Sequence, residues 1–214
     1  MIRAVIFDMD GVLIDAREWH YEALNKALKL LGYEITRYDH LSTYDGLPTR
    51  KKLQMLTVER GLPAELHAFI NGLKQQYTME YVATSCRPVF QHEHALARLR
   101  ASGYQLGLAS NSIRRTILEM MDRSELRGYL DVIVSNEDVE KGKPSPEIYI
   151  KAMADLGVTP DETLVVEDNE NGIQAATAAG AHVMVVRSPE DVTLDAIEAR
   201  IADCAARSRE AVAA

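Results

Sequence analysis

Cysteines, long apolar runs and excess basic residues are scarce or absent in this 214-residue sequence. Its two cysteines, Cys86 and Cys204, lie too far apart to match a metal-binding spacing, so we expect two reduced thiols. No apolar run reaches the roughly 18 residues that a membrane span requires. The first apolar run, Ala4–Phe7, is also too short for the core of a signal peptide. These absences predict a cytoplasmic protein that does not interact with membranes.

The balance of charge argues against another class of partner. The sequence contains 24 Lys and Arg against 32 Asp and Glu, which gives a net charge of −8. A net acidic chain has no general electrostatic attraction towards DNA, RNA or anionic lipid. We therefore expect no nucleic-acid partner, although a local basic site could still bind a phosphate group.

Short apolar runs alternate with helical patterns along most of the chain. This alternation predicts an α/β fold with a Rossmann-like parallel sheet core flanked by helices. In such sheets the chemistry collects at the carboxyl ends of the strands. The predicted strands are Ala4–Phe7, Gln105–Ala109, Val132–Ser135, Leu164–Glu167 and His182–Val186. The predicted helices are Glu93–Ser102, Ile113–Asp122, Pro146–Leu156 and Gly172–Ala179.

The stretch from Ala16 to Thr84 breaks this alternation, because it has helical periodicity and no convincing strand. We therefore predict an α/β core domain of residues 1–15 and 85–214 and an inserted helical cap domain of residues 16–84. A helical insert beside strand ends is a natural lid over a site. The predicted core of the insert is a stripe of Trp19, Ala23, Leu24, Ala27, Leu28, Leu31, Leu53, Leu56, Val58, Leu66, Phe69, Ile70, Leu73 and Tyr77.

The first polar cluster follows the first strand and contains Asp8, Asp10 and Gly11. Two carboxylates beside a buried strand are unfavourable unless a cation or a proton compensates their charge. One could act as nucleophile and metal ligand, and the other as a general acid and base. Gly11 would let backbone N–H groups approach an anion closely. Taken alone, the cluster also fits a polar turn that caps a helix.

Three further clusters follow later strands, and each has a structural alternative. Ser110 and Asn111 precede a helix, where backbone N–H groups favour either a bound phosphate or an N-cap. Lys143 lies in a proline-containing loop, where it could hold an anion or belong to a solvated turn. Glu167 and Asp168 suit Mg²⁺, or an acid-rich helix start. Together, the four clusters would assemble a nucleophile, a phosphate clamp and a Mg²⁺ site.

These clusters resemble, in order, the four motifs of the haloacid dehalogenase superfamily of phosphotransferases. Residues 8–12 (DMDGV) are similar to the first motif, Ser110–Asn111 to the second, Lys143–Pro144 to the third and Glu167–Asp168 to the fourth. The resemblance extends over residues 2–190 and is to the β-phosphoglucomutase-like branch, which has a helical cap. The four motifs in this order are specific for the superfamily but not for a substrate.

The resemblance implies a role for each acidic residue. Asp8 would attack phosphorus and form an aspartyl-phosphate. Asp10 would protonate the leaving alcohol and then activate the attacking water. Asp8, the backbone carbonyl of Asp10 and Asp168 would bind Mg²⁺, with Glu167 supporting directly or through water. Phosphoryl transfer of this kind depends on positioning and on charge stabilisation.

The resemblance also implies which groups bind phosphate and substrate. Ser110 and Lys143 would bind the transferring phosphoryl group. In the predicted cap, His20 corresponds to a hinge histidine of the relatives, although it also fits a structural histidine. The segment Tyr44–Lys52 resembles a substrate-screening loop, where Gly46 allows a turn. Backbone N–H groups near Gly11 and Asn111 would also donate to the transferring phosphoryl group. Arg50, Lys51 or Lys52 could contact a second anionic group on the substrate.

We expect from this resemblance a Mg²⁺-dependent phosphatase that hydrolyses a small phosphorylated metabolite, such as a sugar phosphate, and functions as a monomer. A sugar phosphate mutase is the main alternative. Ala16 stands where relatives usually carry Ser or Thr, which weakens a mutase more than a phosphatase. A non-catalytic protein that binds a phosphorylated ligand is a third hypothesis. Asp10 argues against a dehalogenase, since those relatives lack the second acid of the first motif.

Overall fold

The chain divides into two units, one built on a parallel sheet and one made of helices. The computed structural model describes residues 1–44 and 46–213, with side chains described as far as residue 207. The sheet unit contains Met1–Asp15 together with Arg87–Ala214. The helical unit contains Ala16–Cys86.

The sheet of the first unit has five parallel strands in the order β3-β2-β1-β4-β5. This arrangement confirms the predicted α/β class. All five predicted strands are present, and three have an end that differs by one residue. The strand β3 stops at Val134 because the N–H of Ser135 donates to the side chain of Asp138 at 2.7 Å. The strands are β1 (Ala4–Phe7), β2 (Gln105–Ala109), β3 (Val132–Val134), β4 (Thr163–Glu167) and β5 (His182–Val185).

The helices lie in the inserted segment and between the later strands, and the last helix follows the fifth strand. The four predicted helices of the sheet unit are present with slightly shifted ends; for example, the first of them begins at Phe90 instead of Glu93. No helix in the described part of the chain combines the length and the apolar character that a membrane crossing requires. In order, the α-helices are α1 (Arg17–Lys29), α2 (Arg37–Asp39), α3 (Thr49–Arg60), α4 (His67–Ser85), α5 (Phe90–Ala101), α6 (Arg114–Arg123), α7 (Glu147–Leu156), α8 (Glu170–Ala178) and α9 (Leu194–Ala213).

The three inner strands of the sheet are buried between helices, which explains why they read as continuous apolar runs. The helices α7 and α8 pack on one face against Ala4, Ile6, Ala109 and Val165. The helices α5 and α9 pack against each other and contact β2 and β5 respectively. The central strand β1 is completely buried. A sheet whose inner strands are buried in this way holds the loops at its carboxyl edge in defined positions.

The helical unit has its own apolar core, and most of the predicted stripe contributes to it. Two predicted core residues are wrong: Val58 is 87% exposed and Phe69 is 55% exposed. Val58 lies two residues after the buried Leu56, and two residues turn an α-helix by about 200°, so Val58 faces away from the core. Buried residues of this core are Leu24, Ala27, Leu28, Ile35, Tyr44, Leu53, Leu56, Leu62 and Ile70.

A buried side chain joins α1 to the segment that follows it. Asn25 donates from Nδ2 to the carbonyl of Ile35 at 2.9 Å, and its Oδ1 accepts from the N–H of Ile35 at 2.8 Å. The hydroxyl of Tyr21 donates to the same carbonyl at 3.3 Å. Asn25 thus satisfies both backbone groups of a buried residue, which would otherwise be costly to bury.

We predict that Asn25→Asp lowers the free energy of unfolding by about 2–3 kcal/mol, because it removes a donor and buries a charge beside a carbonyl. The exposed Asn71 on α4 offers the same substitution as a control, and we expect that variant to change stability little. Urea denaturation of both variants measures the difference. Equal effects of the two substitutions would contradict this role of Asn25.

Candidate active site

The loops that carry the predicted catalytic, metal-binding and phosphate-binding residues meet at the carboxyl edge of the sheet. The strand β1 has β2 and β3 on one side and β4 and β5 on the other, so the connections change direction beside it. Ligands of open α/β sheets bind at such a switch point. Asp8 follows β1, Ser110 follows β2, and Asp168 follows β4, while Glu167 is the last residue of β4.

A buried cation joins two carboxylates at the centre of this edge. The ammonium Nζ of Lys143 lies 2.5 Å from Oδ1 of Asp8 and 2.6 Å from Oε1 of Glu167. Their side chains are 3%, 6% and 0% exposed respectively. Removing charges from water costs several kcal/mol per ion, so such a cluster persists only with close pairing. The structure therefore brings the third predicted motif into direct contact with the first and the fourth.

A tyrosine that the sequence reasoning missed completes the cluster. The hydroxyl of Tyr149, on α7, donates to Oε1 of Glu167 at 2.6 Å, and its ring centroid lies 4.8 Å from Nζ of Lys143. The other oxygen of Glu167 accepts from the N–H of Asp168 at 3.0 Å. A buried aromatic residue on a helix is typical of a core position, so no local sequence signal marked Tyr149.

The pKa values in the cluster follow from burial and charge. Burial raises the pKa of the Asp8 carboxyl well above its usual range; the Lys143 ammonium opposes this, while Glu167, Asp10 and Asp168 add to it. Burial alone would lower the pKa of Lys143, but the attraction of Asp8 and Glu167 outweighs it and raises that pKa. The site therefore holds more acidic side chains than its buried lysine can pair with.

This excess of acidic side chains could bind a divalent cation. Asp8, Glu167 and Asp168 each offer a carboxylate oxygen, and these oxygens lie within 4.8 Å of one another. Carboxylate oxygens are the ligands that Mg²⁺ and similar hard cations prefer. A cation among them would offset the repulsion that, in addition to burial, raises the pKa of Asp8. The resemblance implies that the backbone carbonyl of Asp10 is a further metal ligand, and this role stays a prediction.

The loop after β1 folds into a tight turn that carries Asp10. The carbonyl of Met9 accepts from the N–H groups of Leu13 and Ile14 at 3.0 and 2.9 Å. Gly11 has a φ of +90°, which favours glycine, and its N–H donates to the carbonyl of Ile14 at 2.7 Å. Gly11 therefore shapes the turn in this structure, and its predicted part in phosphate binding stays a prediction.

The side chain of Asn111 pairs with the backbone of Lys143. Its Oδ1 accepts from the N–H of Lys143 at 2.9 Å, and its Nδ2 donates to the carbonyl of Lys143 at 3.2 Å. Ser110 is 1% exposed, and its hydroxyl accepts from the N–H of Ser112 at 3.1 Å. Asn111 of the second motif thus positions Lys143 of the third motif. Contacts of Ser110 and Asn111 with phosphate stay predictions.

The three predicted substrate residues lie in the helical unit. Nδ1 of His20, on α1, lies 3.0 Å from Nζ of Lys74. Gly46 has a φ of +67°, as a turn requires, and Arg50 is exposed in the first turn of α3. Asp45 of the predicted screening loop lies outside the described residues. The roles of these residues stay predictions.

Comparison with known proteins identifies related sequences and folds. The sequence model of the haloacid dehalogenase-like hydrolase family matches residues 5–186. The chain is 32% identical over 179 residues to the phosphorylated carbohydrates phosphatase of Thermotoga maritima, covering 84% of this chain and 82% of that protein. It is 29% identical, with the same coverage, to the phosphoglycolate phosphatase of Aquifex aeolicus. The crystal structure of β-phosphoglucomutase from Clostridium difficile has the same fold, with a TM-score of 0.82, 22% identity and coverage of 95% and 98% of the two chains.

We predict that Gly172→Ala destabilises the protein by about 1–3 kcal/mol, because a Cβ at residue 172 would overlap Oε1 of Glu167. Gly72 is a matched control within α4, where a Cβ would meet nothing within 4 Å. Alanine there should stabilise the protein by about 0.5–1 kcal/mol. Urea denaturation measures both changes, and effects of the same sign would argue against a tightly enclosed Glu167.

We predict that Asp8→Asn is more stable than the wild type at neutral pH in the presence of a chelator. A carboxyl whose pKa is raised on folding contributes stability below its ordinary pKa of about 3.9, and that contribution is lost as pH rises through the raised value. Asparagine does not ionise, so the stability difference should grow with pH. Urea denaturation between pH 4 and 8 tests this, with the exposed Asp161→Asn as control. A difference that is independent of pH would contradict it.

Proposed function

The chain belongs to the haloacid dehalogenase-like hydrolase family and is a phosphatase, and on this premise we propose its substrate class, cofactor and mechanism. It hydrolyses a small phosphorylated metabolite, most simply a sugar phosphate, through an aspartyl-phosphate and with Mg²⁺. The phosphorylated carbohydrates phosphatase of Thermotoga maritima supports this choice of substrate class. The observation that carries the proposal is the buried carboxylate of Asp8, held by Lys143 beside the carboxylates of Glu167 and Asp168.

Asp8 is the proposed nucleophile. Its carboxylate attacks phosphorus, the bond from phosphorus to the leaving alcohol breaks, and an aspartyl-phosphate forms. Water then attacks that phosphorus, inorganic phosphate leaves, and the carboxylate of Asp8 is restored. The buried position of Asp8 keeps it away from bulk water, and the ammonium of Lys143 draws its carboxyl towards the ionised form that attack requires.

Asp10 is the proposed general acid and base. It gives a proton to the departing alkoxide in the first step and takes one from the attacking water in the second, so it ends the cycle as it began. Lys143 and the hydroxyl of Ser110 hold the negative charge of the transferring phosphoryl group. Positioning and charge stabilisation of this kind account for most of the catalysis in phosphoryl transfer.

Mg²⁺ would be held by Asp8, Asp168 and the carbonyl of Asp10, with Glu167 directly or through water. When bound, it supplies positive charge to the phosphoryl oxygens and to the nucleophile. The chain's own contribution is to bury Asp8 beside three other acidic side chains: burial raises the pKa of Asp8 most, and the repulsion from these neighbours adds to it. The same repulsion should make binding of a divalent cation favourable.

The helical unit is the proposed source of substrate selection. The resemblance suggests that His20 steadies Asp10, that Gly46 shapes a loop and that Arg50 meets a second anionic group on the substrate. Gly46 and Arg50 would distinguish substrates within the class, whereas His20 would act on the reaction itself through Asp10. The role of Arg50 is tested by comparing Arg50→Ala with the wild type on a panel of sugar phosphates and other phosphomonoesters.

We predict that the wild type releases phosphate from at least one member of a panel of sugar phosphates and other phosphomonoesters, and that a chelator abolishes the release. Asp8→Asn should lower the rate by about three orders of magnitude or more, because it removes the nucleophile and changes little volume. Asp161→Asn, an exposed variant of the same kind, should retain the wild-type rate.

The products distinguish the competing functions. Conversion of a sugar 1-phosphate into an isomer, without free phosphate, would identify a mutase. Tight binding of a phosphate ester without turnover would identify a non-catalytic binding protein. Release of phosphate that survives chelation or the Asp8→Asn substitution would contradict the proposed mechanism.

A further inference from the structure

The hydroxyl of Ser112 contacts the carboxylate of Asp10. Oγ of Ser112 donates to Oδ2 of Asp10 at 3.0 Å, although the two residues are 102 positions apart in the sequence. The parallel register of β1 and β2 pairs Phe7 with Leu108, so the loops that follow these strands leave the sheet side by side. The contact links the first motif to the residue that directly follows the second motif, and the sequence patterns of the motifs do not indicate it.

The backbone around Ser112 is held on several sides, which makes its hydroxyl a well-placed donor. Its N–H donates to Oγ of Ser110 at 3.1 Å, and its carbonyl accepts from the N–H of Asn136 at 3.3 Å. The side chain of Asn136 donates to the neighbouring carbonyl of Asn111 at 2.8 Å. Contacts from the loops after β2 and β3 therefore hold Ser112 in place. Rotation of the Asp10 carboxylate would break its hydrogen bond to the hydroxyl of Ser112.

Ser112 does not serve the role that a serine at its position most often serves. A serine just before a helix commonly caps it by accepting from an N–H of the first turn. Here the N-cap of α6 is Ile113, and the N–H of Arg114 donates to the carboxylate of Glu137 at 2.7 Å. Glu137 thus accepts from this N–H at the start of α6, and the hydroxyl of Ser112 donates to Asp10.

We propose that Ser112 is a positioning residue that aims the carboxyl of Asp10 at the leaving-group oxygen. The inference rests on the proposed function, in which Asp10 is the general acid. A general acid must lie within hydrogen-bond reach of the atom it protonates, and geometry decides this before acidity does. Holding Oδ2 at Ser112 sets the direction of the whole carboxyl group, including the oxygen that carries the proton to the alkoxide.

A hydroxyl suits this task better than a cation would. A serine hydroxyl can donate to a carboxylate and can rotate to accept from a carboxylic acid. Asp10 alternates between these two forms, because it loses a proton in the first step and regains one in the second. Ser112 can therefore hold Asp10 in both halves of the cycle without adding a charge to the site.

The test compares esters that differ in their need for a general acid. Alkyl phosphates leave as strongly basic alkoxides and need a proton, whereas 2,4-dinitrophenyl phosphate leaves as a stable phenolate and does not. We expect Ser112→Ala to lower kcat/KM for the best alkyl ester by about 10- to 100-fold, a part of the full effect of a general acid. We expect kcat/KM for the dinitrophenyl ester to change less than about threefold. Asp10→Asn should show the same selectivity with a larger loss on the alkyl ester.

The choice of kcat/KM confines the measurement to the transfer of the phosphoryl group to Asp8. It reports on steps up to and including the first irreversible one, so the later attack of water does not enter. Ser112→Thr and Ser112→Val form an isosteric pair, of which only threonine keeps the hydroxyl. Threonine should retain the alkyl-ester activity that valine loses, which keeps the test valid if the alanine variant folds poorly. The exposed Ser102→Ala is the control for a serine at the opposite end of β2.

Each contrary outcome has a distinct meaning. An equal loss on both esters would show that Ser112 supports the fold or the phosphate and would overturn the inference. Full activity of Ser112→Ala and Ser112→Val on the alkyl ester would overturn it as well. A wild type that hydrolyses neither ester would refute the proposed function, and the inference would fall with it.

Discussion

The contact of one buried ammonium with two carboxylates is the interaction on which the rest of the site depends. Lys143 bridges Asp8 and Glu167, and so it ties the long loop after β3 to the ends of β1 and β4. Removing it would leave two carboxylates buried without a cation, which costs about 3–5 kcal/mol for broken buried pairs. The pairing of Asn111 with the backbone of Lys143 keeps the ammonium at this junction.

The surroundings of the cluster compensate for its burial without neutralising it. Tyr149 donates to Glu167, the N–H of Asp168 donates to the other oxygen of the same carboxylate, and Gly172 leaves room for it. These neighbours orient Glu167 but add no positive charge. The site therefore keeps more acidic side chains than Lys143 can pair with, as a centre that receives a cation should. The crowding of acidic side chains around Asp8 thus lowers the stability of the cation-free protein, and the same crowding favours binding of a metal ion.

Much of the fold and part of the site could be predicted from the sequence. Strand runs are local patterns, and all five were predicted with ends correct to within one residue. The polar clusters could be assigned to one edge, because the carboxyl ends of parallel strands share it. Val58 was misassigned because an apolar residue near a helical stripe need not lie on the buried side. Tyr149 and Ser112 could not be recognised, since a buried tyrosine and a serine before a helix have ordinary structural explanations.

The sequence by itself determined the order of strands and helices along the chain, the acidic and basic residues at the strand ends, and the family that these residues indicate. These properties depend on the periodicity and identity of neighbouring residues. Only the tertiary structure decided which of those side chains touch. Whether Lys143 reaches both Asp8 and Glu167, and whether Ser112 meets Asp10, depends on sheet register and on the paths of loops far apart in the chain. Such contacts arise from packing of the whole sheet unit, and no local stretch of sequence encodes them.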